Sequence, residues 1–577
     1  MTRSTTRTTA GLLALGAPLL VYLATLARQV TETDSGELAA AAATLGIAHP
    51  PGYPLFTLAG WLLSWLPVGS IAFRIGLVSA LAAAGAALVI FRLGLAVGTS
   101  VATRAPTDGE TGRPAATGTN VALAMAALAA ALLVAFGRTF WSQAVIVEVY
   151  GLQALLTALV LAACWRASEP QADLGRAWPL AGAAAGLAAV NHLTGVLLWP
   201  AVLATLAFGL RRSRPRTLAI LARTAAAAAL PLLLYLYLPL RSAASPEVRW
   251  TVVDSLQSFL VHVSARQYHG LWGSRGLRID ELWRFLGKQL PAEASLLLPF
   301  LAVVGLVVVA RRRPGFALAS GLALATTVVY NLGYPIPDIA AYYLPAFVVL
   351  GVLAAAGAVA ITAAAARRRP IAGAAVAGCL VAASLTVLAN HWQACDRHDD
   401  RLVACAVRDT LAPLAPDAVL ITGRSDVVSS PALYEQDVEG FRPDVLVLDV
   451  GRMADPRYGL LLGGAAAELA AVARRPTYVI SDLYTSPLVR GLTLVPESLV
   501  ARAARRDELR PVPLDAIEGP CGARDRLRFP AHKLVWDDYR VAMLNRAQYL
   551  RRHGMADEAA RYEARATEIG EPLGSPE

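Results

Sequence analysis

The sequence predicts a polytopic α-helical membrane protein of about eleven transmembrane helices, followed by a C-terminal extracytoplasmic α/β domain that ends in a tetratricopeptide-like helical hairpin. Three observations predict it. Of 577 residues, 56% are hydrophobic and 16% charged, and the mean hydropathy of +0.50 is far above that of an ordinary soluble chain. Apolar runs near the length a bilayer demands recur as far as Asn390. Beyond it, short β-like runs alternate with helix-like and turn-rich stretches.

The apolar segments are residues 11–28, 71–97, 119–136, 145–165, 178–190, 194–210, 217–239, 294–310, 315–333, 340–363 and 371–389. The first follows Arg3 and Arg7 and reads as an uncleaved anchor, because its apolar run is long and many spans follow. Residues 178–210 are short for two crossings and long for one. Two short helices meeting at Asn191 and His192 keep the basic loops in alternation; one tilted helix would put the next arginine cluster outside. With two, the cytoplasmic loops hold Arg104 and Arg113, Arg166 and Arg176, Arg211 with Arg212, Arg214 and Arg216, Arg311 to Arg313, and Arg367 to Arg369. Positive charge concentrates on the cytoplasmic side, so the N-terminus is expected there and everything after 390 outside. The net charge of +10 is then topological, and no nucleic-acid partner is expected.

The expected domains are a membrane domain over 1–390, with outer loops at 29–70 and 240–292, a soluble α/β domain over 391–537, and a hairpin and tail over 538–577. Strand-like runs AVLIT (418–422), DVLVLD (444–449) and PTYVIS (476–481) mark the second. In the hairpin, Ala542, Leu544, Ala547, Tyr549, Ala559, Tyr562 and Ala566 form the apolar pattern, with a turn at Gly554; one such unit cannot bury its own face and must pack on the preceding domain. None of the five cysteines form a metal-spaced set, so no metal site is expected and a divalent metal is without support. Cys395 and Cys405 would lie about 15 Å apart on one helix, too far to bond each other. Either pairs with Cys521, or the thiols are free.

The unusual polar motifs collect in the outward loops. Asp34 and Glu37, in TETDSGE, sit just beyond the first span. A carboxylate there is placed to act as a general base, yet the same spacing is a helix N-cap and its capping-box partner. His49, in AHPPGYP, either binds phosphate or orients the base, or is a histidine in a rigid turn. Glu148 lies in an apolar run, where a charge is costly unless it faces a partner or a wet cavity; an ion pair with Arg138 or a bond to Tyr150 would serve equally. Asn191 and His192 at a helix break, and Arg138, Arg241, Arg266 and Tyr268 in outer loops, are candidates for anion or substrate contact. Asp338, in YPIPD, is a second carboxylate of the site or a helix cap. Walker, GxGxxG, GxSxG and HExxH motifs are missing, which removes support for nucleotide-driven transport and hydrolase chemistry of those kinds.

The run TETDSGELAAAAATLGIAHPPGYPLFTLAGWLLSWLP resembles a bacterial membrane family whose eukaryotic relatives include a transmembrane protein O-mannosyltransferase. FWSQAVIVEVYG, NHLTG, SARQY, YPIPD with YYLP, and ALYEQDVEGFRPDV extend the similarity over most of the chain. The resemblance implies a GT-C glycosyltransferase of the bacterial inner membrane, a polyprenyl-phosphate sugar (mannose-like) as donor, and catalysis at the outer face by Asp34 with Glu37 in support. The acceptor would be a secreted protein or envelope glycan. Relatives show W-G-D-P where this chain has Trp250-Thr251-Val252-Val253-Asp254, and a G-D pair where it has Gly423-Arg424-Ser425-Asp426. Two other readings stay open: a transporter or flippase of lipid-linked glycans using Glu148 and the Asn191 break, and a non-catalytic envelope scaffold.

Overall fold

The computed structural model describes residues 3–102, 117–210, 217–453, 475–480, 483, 493–504 and 529–570. Arg104, Arg113, the Arg211–Arg216 cluster and Cys521 lie outside the described residues.

The membrane half opens with α1 (Arg3–Thr25), then a loop carrying two short helices, α2 (Ser35–Thr44) and α3 (Pro54–Ser64), then α4 (Ile71–Ala102) and α5 (Thr117–Ala135). A short α6 (Arg138–Ala144) leads to α7 (Tyr150–Ser168), and α8 (Leu174–Asn191) runs through a 3-10 turn, Leu193–Leu198, into α9 (Trp199–Leu210). Next come α10 (Thr217–Ala229) and α11 (Tyr237–Ala243), joined by a 3-10 stretch, and the large loop with α12 (Leu256–Val263), α13 (Ile279–Arg284) and α14 (Leu290–Ala294). The bundle closes with α15 (Leu297–Arg312), α16 (Pro314–Leu332), α17 (Leu344–Arg368) and α18 (Pro370–Cys395).

The chain is a multi-pass membrane protein. Among the described residues, eight helices are long and apolar enough to cross a bilayer, or nine if the pair Ile279–Ala294 and Leu297–Arg312, bent by 101°, is one span. The shortfall from eleven lies at 178–210 and 294–310. There α15 has 16 residues and Leu193–Gly209 is also short, each below the ~20 residues of a full crossing. The break at Asn191 and His192 is present: α8 ends at Asn191 and His192 is extended (φ −152°, ψ 136°). α17 runs through the middle of the bundle against α4, α5 and α15. Its Ala- and Gly-rich sequence allows those close approaches.

After α18 the chain breaks at Asp396 instead of continuing to Cys405. α19 (Leu402–Leu411), β1 (Val419–Thr422), α20 (Ser430–Asp437), β2 (Leu446–Asp449), β3 (Thr477–Ile480), β4 (Thr493–Pro496) and β5 (Val500–Ala504) then form a mixed sheet of order β2-β1-β3-β5-β4. β1 pairs parallel with β2 and β3, Leu420 opposite Val447 and Tyr478, while β5 is antiparallel to β3 and β4. β1 and β3 are buried throughout, as central strands with near-continuous apolar runs should be. Cys405 is disulfide-bonded, and Cys164, Cys379 and Cys395 are free.

The C-terminal hairpin consists of Pro530–Arg552 and Ala556–Gly570, turning at Gly554 (φ 79°). Its buried face carries Ala542, Ala547, Tyr549, Ala559, Tyr562 and Ala566; Leu544 is instead 42% exposed. Its first helix starts eight residues before the expected Asp538, and those extra turns reach the membrane half.

Candidate active site

The loop after α1 turns sharply at Thr33 (φ 61°), and Asp34 occupies the N-cap of α2 with no side-chain capping bond. The capping box does not form. Glu37 turns away from the cap: its Oε1 accepts the His49 backbone N–H at 2.5 Å and its Oε2 lies 3.0 Å from His49 Nδ1. On the other side of the ring, His49 Nε2 is 2.9 Å from the Tyr53 hydroxyl and 3.7 Å from Asp34 Oδ2. The HPPGYP turn makes this possible. Gly52 (φ 96°) packs so tightly that a Cβ there would lie 2.7 Å from Leu238 Cδ2, and Tyr53 follows in the left-handed region at φ 44°. The approach to His49 is fixed from outside by Ile47 N–H to Val248 O (2.9 Å) and Trp250 N–H to Ile47 O (2.8 Å), which tie the large outer loop to this turn.

α2 is completed by the soluble half. Ser430 Oγ accepts the Glu37 N–H at 3.0 Å, satisfying one of the open donors at a helix start. A Cβ on Gly36 would meet Ser430 O at 2.4 Å and Pro431 Cα at 2.5 Å, so the glycine of DSGE is the contact point between α2 and α20. Tyr434, also on α20, accepts the Ala72 N–H at 3.1 Å at the head of α4.

A cavity of about 910 Å³ opens beside this cluster. Of the sequence candidates, Asp34, His49, Arg138, Glu148, His192, Tyr268 and Asp338 line it. Asp34's side chain is 40% exposed, Glu37's 4%, so Asp34 faces the space and Glu37 stands behind His49. Glu148 is buried, taking the Val149 N–H (3.2 Å) and the Thr33 hydroxyl (3.4 Å); it pairs with neither Arg138 nor Tyr150. Arg138 is exposed and forms no ion pair with any described residue, whereas Arg397, a second cation in the wall, is held by Glu32 and Asp400 at 2.6 Å each.

Besides Glu37, three candidates do not line the cavity. Arg241 donates to the carbonyls of Leu45 (2.6 Å) and Thr44 (3.4 Å), closing the C-terminal end of α2, where a cation is favoured. Asn191 is fully buried, donating to Val149 O and Gln153 Oε1 at 3.1 Å. It pins α8 to α7. Arg266 is exposed on the far side of the 3-10 turn Arg266–Tyr268. Asp254 of the divergent WTVVD accepts from Ser258 at 3.2 Å and helps to start α12. Sequence reasoning missed Glu32, Tyr53, Arg397 and the role of Asp426, all in the cavity wall. Only Tyr53 carried a signal, four residues after His49 in the same motif.

Burial pushes the Asp34 carboxyl up to about 6, against the pull of the neighbouring His49 charge and with a further push from Glu37. Burial opposes charge on His49 too, but Asp34 and Glu37 outweigh it and raise the imidazole to about 10. Glu148 is pushed well up by burial and by Asp34. At neutral pH the cluster is therefore an ionised Asp34 facing a protonated His49 that is braced by Glu37. Asp34, Glu37 and His49 are also the one group among the described residues whose ligand atoms, within 4.8 Å of one another, could hold a metal ion. Both His49 nitrogens already have partners, Glu37 and Tyr53, so a cation would have to displace one of them.

Residues 34–215 match the family model described as the Protein O-mannosyl-transferase TMEM260 N-terminal domain. Protein O-mannosyl-transferase TMEM260 of Mus musculus is 27% identical over 455 residues, 74% of this chain and 61% of the relative, so the chain spans about three fifths of that relative's length. The Dictyostelium discoideum protein of the same description is 36% identical over 75 residues, 12% of this chain and 9% of that one. Among solved structures, ArnT from Cupriavidus metallidurans bound to undecaprenyl phosphate aligns with a TM-score of 0.48 at 14% identity, covering 86% of this chain and 98% of that one. The oligosaccharyltransferase AglB from Archaeoglobus fulgidus, in complex with an inhibitory peptide and a dolichol-phosphate, aligns with a TM-score of 0.47 at 11% identity, covering 82% and 69%.

Proposed function

We propose that this chain, a homologue of Protein O-mannosyl-transferase TMEM260, is a membrane glycosyltransferase that moves a mannose-like sugar from a polyprenyl-phosphate donor to a hydroxyl of a protein or envelope-glycan acceptor, with inversion. The observation that carries the reading is Asp34, ionisable near pH 6, exposed at the wall of a large cavity shared by membrane and soluble elements. Asp34 takes the proton of the acceptor hydroxyl. The acceptor oxygen bonds to the anomeric carbon as the bond from that carbon to the phosphate oxygen breaks, and the lipid phosphate leaves as an anion. Such a leaving group needs positive charge to hold it more than it needs an acid. Arg138, which forms no ion pair with any described residue, fits that task. His49 stays cationic and holds Asp34 in place without competing for the proton.

The apolar part of the wall supports a lipid-borne donor. Val196, Leu197, Leu271 and Trp272 line the cavity on the side of the α8–α9 break and α16, with Val196 44% and Trp272 48% exposed. The disulfide at Cys405 and the arginine-rich loops support an extracytoplasmic site in a bacterial inner membrane with the N-terminus in the cytoplasm.

The test is transfer of radiolabelled mannose from polyprenyl-phosphate mannose by purified protein in nanodiscs. Asp34→Asn, nearly isosteric, should lower kcat by about 10²- to 10⁴-fold, the usual share of a general base. Undiminished transfer by that variant removes Asp34 as the base. Carboxylate-dependent movement of a lipid-linked glycan across vesicles, without transfer, would favour a flippase instead.

A further inference from the structure

The large outer loop between α11 and α15 carries two helical stretches whose faces are the reverse of those a helix turns to water. In α12, Ser258 and His262 are buried, while Leu256 is 73% exposed and Leu260 points out beside it. In the segment Ile279–Ala294, Glu281 and Glu293 are buried, and Glu281 is clamped by Arg278 at 3.1 Å and Arg284 at 3.2 Å. Ile279, Trp283 and Leu286 form one stripe on the outside, the first two 65% and 69% exposed. A neighbouring stripe, Asp280, Arg284 and Lys288, is polar and also exposed. The segment therefore has three faces: one packed on the protein, one apolar and open, one charged and open.

The bend into α15 says what covers the apolar face. α15 runs along α17 in the bundle, and Ile279–Ala294 leaves it at 101°, so that segment lies nearly in the membrane plane. The 16 residues of α15 rise about 24 Å, against a hydrocarbon core of about 30 Å. With its Arg311 and Arg312 end at one edge of that core, its first turn stops about 6 Å short of the other, the depth at which interfacial amphipathic helices rest. The exposed stripe of α15, Leu296, Phe300, Val303 and Val307, meets the acyl chains and adjoins the bend. Leu256 of α12 likewise shares an apolar hollow of about 590 Å³ with Leu236, which belongs to the span Thr217–Ala243. We propose that α12 and Ile279–Ala294 form a monolayer-inserted arm. Both rest in the leaflet on the cavity side, with Leu256, Leu260, Ile279, Trp283 and Leu286 among acyl chains and Arg284 and Lys288 at the lipid phosphates. The partner is the phospholipid surface itself, and the inference needs the multi-pass fold but not the glycosyl-transfer reading. Tyr268, Leu271 and Trp272, between the two helices, line the cavity, so the arm is the partition between that leaflet and the cavity.

The experiment is spin labelling of the full-length protein in vesicles of phosphatidylcholine and phosphatidylglycerol. The background is Cys379→Ala, because Cys379 is exposed while Cys164 and Cys395 are buried. Nitroxides at Leu260→Cys, Ile279→Cys and Trp283→Cys are compared with one on the α15 stripe, Val303→Cys, and one on the C-terminal hairpin, Glu568→Cys. Each replaces a side chain on the surface. The three arm labels should collide with oxygen more than with a water-soluble nickel chelate, as at Val303 and opposite to Glu568. Nickel access equal to that at Glu568 overturns the arm. Shielding from both reagents overturns it as well, since that would put a second copy of the chain over this face. With Ile279→Asp and Trp283→Asp together, a label at Leu286→Cys should lose its oxygen preference while the label at Val303 keeps its own. Unchanged immersion of Leu286 in that variant overturns the apolar stripe as the anchor.

Discussion

On the proposed function, the Asp34 carboxyl must lose its proton to work, and it sits where burial resists ionisation. The raised value near 6, against about 3.9 for a free aspartate, means that Asp34 is protonated as pH falls through about 6, so kcat/KM should show an acid limb there. The two neighbours move that limb in opposite directions. His49 lowers the Asp34 value and Glu37 raises it, so His49→Gln should carry the limb to higher pH and Glu37→Gln to lower pH. pH–rate profiles of both variants decide this; shifts of the same sign would show that the pair does not act on Asp34 by charge. At this scale the sequence was informative but ambiguous. Asp34, Glu37 and His49 stood out as a motif, whereas their spacing also fitted a capping box. Only the turn at HPPGYP, which folds His49 back onto Glu37, excludes that alternative. Arg241 and Asn191 looked equally eligible and are occupied elsewhere, by carbonyls distant in the chain.

Among the elements, α2 bears the most constraint, since it presents the site on one end and meets α20 on the other. Gly36→Ala would drive a methyl into backbone atoms of Ser430 and Pro431, which cannot yield as a side-chain tip can. The expected cost is about 1–3 kcal/mol, seen as a lower Tm in detergent, with transfer reduced because Ser430 leaves the Glu37 N–H. Most of the helices were legible from apolar runs, and so was the break at Asn191, because a bilayer imposes length and polarity directly on sequence. The shortness of the α8–α9 pair was legible too, since residues 178–210 are short for two crossings; that of α15 was not, and the break at Asp396 lay inside a run that continues to read as helix. The hairpin's start was also obscured, since Pro530 opens its first helix ahead of the apolar pattern, in a stretch that is largely polar.

Across the whole molecule, the membrane and soluble halves are joined by a buried polar network beside the cavity. Arg397 binds Glu32 and Asp400, its Cζ sits 3.1 Å from the Phe529 ring centroid, and Asp400 is 3.1 Å from His532 Nε2 in the hairpin. Burial alone would raise the Asp400 carboxyl, yet the His532 bond and Arg397 hold it well below the usual range. Its contribution is therefore complete above the ordinary carboxylate value and is lost only as pH falls below it. Arg397→Met takes the cation from half-buried Glu32 and leaves buried Asp400 with His532 as its remaining ion-pair partner among the described residues; it should cost about 3 kcal/mol, read as a fall in Tm and as faster proteolysis of the hairpin. Arg565→Ala, at a surface pair with Glu568, should change Tm little, within about 1 kcal/mol. Nothing in the sequence announced this network, because Glu32 and Arg397 are 365 positions apart, Asp400 and His532 are 132 apart, and each is ordinary on its own. The Ser430 bond to α2 spans 393 positions, and that separation imposes an order on biogenesis. The ribosome delivers α2 to the translocon long before α20 exists, so the bundle inserts with its first outer helix unfinished. On the proposed function, the site is completed late, when the last third of the polypeptide has been made and has docked on the bundle.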